Sequence, residues 1–237
     1  MHNPFLFDKE IPRVFFIDGP SGIGKDTYIE YLYDYFTNEL KLDKSRVKVL
    51  RATDYVLTDF TQSENRKYIQ YQTAESQLFH IYTSHFKLLE HIDQLFLDSI
   101  ADVVIVNRSF MSFLIYNVFP IIKTTDLSNT PYEHAFEVYK HANFTFPYSE
   151  VYYCNLTFKN KNAKEATLLL EKRITSRNDN KEIDLKWIKS LFTGYEKTTK
   201  EYATKFVDYV STIDCENPFT NEESLPWLQQ NLLRLKK

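Results

Sequence analysis

Glycine is scarce in this chain: among 237 residues there are four, Gly19, Gly22, Gly24 and Gly194. Three of them fall between positions 19 and 24, as expected where backbone must approach a partner closely or take positive φ. Cysteine is scarcer still. Cys154 and Cys215 supply neither a disulfide framework nor a metal cluster, and read as buried thiols in a reducing, cytoplasm-like compartment. No apolar run approaches the ~18 residues that span a membrane, and residues 1–16, with their acids and a proline, do not read as a signal peptide. A dominant charge is missing as well: 29 Lys and Arg face 32 Asp and Glu, a net charge of -3. That balance speaks against a dedicated nucleic-acid binder. What the chain does have is apolar surface, 43% hydrophobic and 16% aromatic, enough for a core and far from the composition of a disordered chain. No internal repeat or low-complexity stretch interrupts it, and the length fits one domain over 1–237.

Short apolar runs that end in turn signals predict strands at 13–18, 47–50, 102–106, 151–156 and 206–213. Between them, apolar positions recurring at three and four predict helices at 27–37, 68–97, 109–118, 132–141, 163–177, 185–202 and 222–235. Strand–helix alternation implies an α/β fold, a five-stranded parallel sheet flanked by helices. Ligands in such sheets bind at the carboxyl ends of the strands, so residues just after the first three strands carry the functional signal.

Gly19-Pro20-Ser21-Gly22-Ile23-Gly24-Lys25 follows the first strand and opens a helix. This is the G-x-x-x-x-G-K phosphate loop in its proper context. Backbone N–H groups around the glycines cradle phosphate, the helix N-terminus favours negative charge, and Lys25 reaches the β- and γ-phosphates. The next residue, where Ser or Thr ordinarily holds Mg²⁺, is Asp26, followed by Thr27. A carboxylate beside a triphosphate calls for a metal between them, so Asp26 is expected to support Mg²⁺, directly or through water.

At four places the sequence resembles the thymidylate kinase and deoxynucleoside kinase branch of the P-loop kinases. The first is the loop itself, Ile17 to Thr27, with Asp18 as its leading acid. The second is Asn107-Arg108-Ser109-Phe110-Met111-Ser112-Phe113-Leu114-Ile115-Tyr116-Asn117, similar to the D-R-Y-x-x-S-x-x-A-Y-Q of thymidylate kinases and, through Arg108 and Ser109, to the E-R-S of deoxynucleoside kinases. Asn107 stands where the acid is expected. The third, Arg173-Ile174-Thr175-Ser176-Arg177 followed by Asp179, Glu182 and Tyr195, resembles the lid of both families. Two arginines at i and i+4 share a helix face and can close over a triphosphate as bidentate donors. The fourth, Arg51-Ala52-Thr53-Asp54, is similar to the T-R-E-P of thymidylate kinases. Arginine usage agrees: of 8 arginines against 21 lysines, four (Arg51, Arg108, Arg173, Arg177) fall at these places, as planar phosphate recognition favours.

The resemblance implies a P-loop core with a short lid at about 170–182, ATP as donor, Mg²⁺ as cofactor, and phosphoryl transfer to a deoxynucleotide. Lys25, Arg108, Arg173 and Arg177 are expected to stabilise or orient the transferring group. Gly19 to Thr27 bind ATP, and Asp18, Asp26 and Thr27 are the metal candidates. Arg51, Gln72, Gln77, Asn107, Arg108 and Tyr116 line the acceptor site. Thymidylate kinase is the leading expectation, from Arg51 and the Ser112–Tyr116 spacing. A deoxynucleoside kinase is the alternative; it needs a general base, for which Asp54 is the candidate. No acceptor-phosphate arginine stands near Thr83, where His85 is the only nearby cation candidate. Two further readings stay open: a kinase acting on a base in DNA, and a catalytically weakened nucleotide-binding regulator. No membrane partner is expected, and a homodimer is left open.

Overall fold

A computed structural model describes residues 11–55, 74–113, 115, 149–176, 185–201, 209–220 and 224–225. Its elements are β1 (Arg13–Asp18), α1 (Lys25–Asp34), β2 (Val47–Arg51), α2 (Ala74–Leu97), β3 (Val103–Asn107), α3 (Phe110–Phe113), β4 (Glu150–Thr157), α4 (Ala163–Thr175), α5 (Leu185–Glu201) and β5 (Tyr209–Asp214). The five strands form one sheet in the order β2-β3-β1-β4-β5, every pair parallel.

β1 shows why the strands read as continuous apolar runs. All six of its residues are buried, because helices cover both faces of the sheet. Val14 and Phe16 point to one side, with Val104, Val106 and Tyr153, against Leu88 and Ile92 of α2 and Leu191 and Tyr195 of α5. Phe15 and Ile17 point to the other, with Ile105, Tyr152 and Cys154, against Tyr28, Ile29 and Leu32 of α1 and Leu170 of α4. Across that second face Tyr152 stacks between Phe15 and Tyr209, at 4.5 and 4.4 Å, joining three strands through one aromatic row.

The strands depart from the expected bounds by a few residues. The first helix departs more: α1 ends at Asp34 and continues as a π-turn over Tyr35–Glu39. The wider turn buries Tyr35, Phe36 and Thr37, which strict helical spacing would not place side by side. α4 starts on a capping box, Asn162 and Glu165 satisfying each other's backbone N–H. α2 begins at Ala74. The helix expected at 132–141, residues 114 and 116–118 of the one at 109–118 and most of the one at 222–235 lie outside the described residues. Both cysteines are buried and free, as expected, and burial lifts each thiol to about 12. No helix among the described residues is long and apolar enough to cross a membrane.

Candidate active site

β1 sits in the middle of the sheet, so the loop that leaves it is flanked by the ends of β3 and β4. The register aligns Ile17 with Asn107 on one side and Asp18 with Asn155 on the other. β2 lies one strand beyond β3, with Arg51 level with Asn107. Asp18, Asn107, Arg108 and Arg51 therefore gather at one edge.

The three loop glycines all have positive φ: 140° at Gly19, 82° at Gly22 and 115° at Gly24. Two of them are also close approaches. A Cβ on Gly19 would lie 2.9 Å from the Leu156 carbonyl oxygen of β4, and one on Gly22 would lie 2.8 Å from Ile174 Cγ1 of α4. The loop can thus turn between β4 and α4 only if both residues lack side chains. At Gly24, which opens α1, a Cβ would meet nothing within 4 Å, so space remains beside the first helical amides.

Lys25 is buried, and its ammonium donates to the carbonyls of Gly19 at 2.8 Å and Pro20 at 2.9 Å. Burial first, and then the nearby Arg108 guanidinium, lower its pKa to about 7, while Asp18 and Asp26 act the other way. Two cations held together in a partly dehydrated loop are a standing electrostatic cost that an incoming polyanion relieves. Arg108 donates to Ser21 Oγ of the loop and to Tyr195 Oη of α5, both at 3.3 Å.

The two departures from the family pattern touch each other. Asn107 Nδ2 donates to Asp26 Oδ1 at 2.8 Å, linking the end of β3 to the first turn of α1. Had position 107 kept its acid, two carboxylates would face each other there. Asp26 and Thr27 are both exposed. These oxygens are hard donors, the kind that suit Mg²⁺ together with phosphate oxygens and water. Asp18 is placed differently from the other two metal candidates. It is fully buried, and its two oxygens accept from Ser109 N, Ser109 Oγ and Ser112 Oγ, which points to a structural anchor rather than an ion ligand.

Arg173 also differs from the expected free lid arginine. Its Nη1 donates to the Ile23 carbonyl and its Nη2 to the Cys215 carbonyl, each at 2.9 Å, and its guanidinium lies 4.9 Å from the Phe158 ring centroid. It latches α4 to the phosphate loop and to the end of β5. Arg51 and Asp54 are exposed at the end of β2 and in the 3₁₀ turn Ala52–Tyr55 that follows. His85 is buried against Phe110, ring centroids 5.1 Å apart; burial lowers its pKa to about 3, so it is neutral and no cation. Gln77 falls in the first turn of α2. Gln72, Tyr116, Arg177, Asp179, Glu182 and the lid beyond Ser176 lie outside the described residues. Sequence reasoning did not foresee the Asn107–Asp26 pair or the Arg173 latch. The first depends on β3 lying beside β1, which brings position 107 to the start of α1.

No protein-family model matches this chain, and no curated protein matches it in sequence. Solved structures do. The chain is similar to a deoxyadenosine kinase from M. mycoides solved with bound dATP, with a TM-score of 0.53 and 17% identity over 92% of this chain and 99% of that one. The fold is that of the P-loop NTPases. At that identity the likeness extends to the fold alone, in which the glycine loop and Lys25 join β1 to α1.

Proposed function

We propose that this chain transfers the γ-phosphoryl group of ATP to the 5′-hydroxyl of a deoxynucleoside. The observation that carries the reading is the pairing of Lys25 and Arg108 at a loop turned by three positive-φ glycines, an arrangement that a polyanion completes. Transfer of this kind depends on positioning and charge stabilisation rather than on covalent catalysis. Lys25 and the loop amides hold the β- and γ-phosphates, and Arg108 meets the transferring group. Asp54 takes the proton of the 5′-hydroxyl as its oxygen bonds to phosphorus and the bridging bond to ADP breaks. Asp26, oriented by Asn107, and Thr27 would hold Mg²⁺, which when bound supplies charge neutralisation at the phosphate oxygens. Arg173 and Arg177 act from the lid, Arg173 by fixing α4 on the loop.

Two observations favour a nucleoside over a monophosphate as acceptor. The described turn of α2 from Tyr82 to Phe86 carries no charged group, because His85 is neutral, and an acceptor phosphate there would want a cation. The structural neighbour is itself named as a deoxyadenosine kinase. A thymidylate kinase-like reading is second, favoured by Arg51 at the acceptor edge, level with Asn107. A coupled ATP-to-ADP assay with Mg²⁺ against the four deoxynucleosides and their monophosphates tests the choice. Turnover of nucleosides is expected. Turnover of dTMP alone would move the assignment to the second reading, and tight ATP binding with no turnover would overturn both.

A further inference from the structure

Asp18 closes β1, and three groups from the segment after β3 hydrogen-bond to its carboxylate. Ser109 N donates to Oδ1 at 2.9 Å, the Ser109 hydroxyl donates to Oδ2, and Ser112 Oγ donates to Oδ1 at 2.5 Å. A serine hydroxyl has one hydrogen. With that hydrogen on Asp18, the 2.6 Å contact between Ser112 Oγ and Tyr195 Oη has a single arrangement, in which the tyrosine donates. The phenol oxygen then presents lone pairs, and Arg108 Nη1 donates to it. The direction is forced along the whole chain, from Arg108 to Tyr195 to Ser112 to Asp18. Asp18, Ser112 and Tyr195 are each at most 1% exposed, where low dielectric strengthens such a chain.

A second observation concerns the backbone. Arg108 has φ 76°, a conformation that a non-glycine residue keeps only where its surroundings over-determine it. That turn directs the side chain back between the phosphate loop and α5, where Ser21 and Tyr195 receive it.

We infer that Tyr195 is a positioning residue that fixes the Arg108 guanidinium through this one-way chain to Asp18. Its consequence for catalysis rests on the proposal that Arg108 meets the transferring phosphoryl group. The geometric part does not depend on the substrate. It also gives buried Asp18 a task other than metal binding: the anion that anchors a cation three hydrogen bonds away.

Tyr195→Phe keeps the ring and removes the hydroxyl. In ¹⁵N NMR of the full chain, with Arg108 assigned by loss of its signals in Arg108→Lys, the Nη protons are expected to rotate slowly in the parent and to average in Tyr195→Phe. In turnover, kcat falls by roughly 10–100-fold, while the ATP Kd stays within about twofold. Ser112→Ala leaves the phenol in place but cuts it from Asp18. It gives the same losses, and the double variant loses no more than either single one. Arg108 signals unchanged in both variants overturn the inference, whether or not the chain phosphorylates a nucleoside. Absence of turnover in the parent overturns the functional reading alone. Should Tyr195→Phe fail to fold, Ser112→Ala carries the same readouts.

Discussion

Lys25 illustrates how one side chain ties folding, binding and pH together. Its pKa of about 7 lies below the ordinary lysine value of 10.5 because the folded loop buries it beside Arg108. Between those two values the unfolded chain binds more protons than the folded one, so this residue makes stability rise with pH over that window. A bound triphosphate reverses the preference and restores the ammonium. Calorimetry of ATP binding at pH 7.5, in buffers of different ionisation enthalpy, is therefore expected to show net proton uptake. ATP affinity should weaken as pH rises toward 9, and Lys25→Met should abolish both effects. Binding without proton exchange would mean that Lys25 is already charged in the free loop.

Asp26 and Asn107 set the proposed metal side of the same loop through their hydrogen bond. If the metal-supporting carboxylate stands on α1 instead of at the end of β3, Asp26→Asn lowers Mg²⁺-dependent turnover by about 100-fold while leaving the thermal midpoint nearly unchanged. Mg²⁺ titration of ATP binding should weaken in parallel. Unaltered Mg²⁺ dependence would return Asp26 to a plain helix-dipole role. The loop, Lys25 and Asp26 were visible in the sequence because a seven-residue motif fixes local spacing, and Asn107 was visible beside Arg108. That the odd residues share a hydrogen bond was not visible, since 81 positions separate them and only strand order brings them together.

At the scale of elements, the contact between the loop and α4 sets how closely the two can approach. Gly22 has both a positive φ and no room for a methyl group against Ile174. Gly22→Ala is expected to cost roughly 1–2 kcal/mol from backbone strain alone, with a further loss from the clash. Adding Ile174→Ala should recover the clash component and leave the strain, which denaturant unfolding of the two variants would separate. Full recovery would show that the backbone conformation carries no cost. The helices taught a different lesson from the strands. Strands buried on both faces declare themselves as apolar runs, and all five were legible. The π-turn after α1 was not, because it goes with the burial of Tyr35 and Phe36 in the core beside Phe15, a tertiary demand that overrides helical period. The role of Arg173 was hidden for a similar reason: an arginine at helical spacing reads as a phosphate ligand, whereas the carbonyls it meets belong to Ile23 and Cys215, distant in sequence.

For the whole molecule, the sheet order puts the loop between β3 and β4 and sets β2 one strand beyond β3, so the loop, Asn107 and Arg51 meet at one edge. Helices on both faces hold that edge in place: α1 and α4 share the core of one face with Ile23 of the loop, α2 packs in the core of the other, and α5 packs against β4 and α4. The central claim is that phosphoryl transfer to a nucleoside hydroxyl takes place there. The most direct test is to incubate the full chain with Mg²⁺, ATP labelled at its γ-phosphorus and each deoxynucleoside or deoxynucleoside monophosphate in turn, and to follow where the label goes. The account predicts label in a deoxynucleoside 5′-monophosphate, with formation of ADP. Label appearing only in a diphosphate made from dTMP, or remaining in ATP that is nevertheless bound, would contradict it.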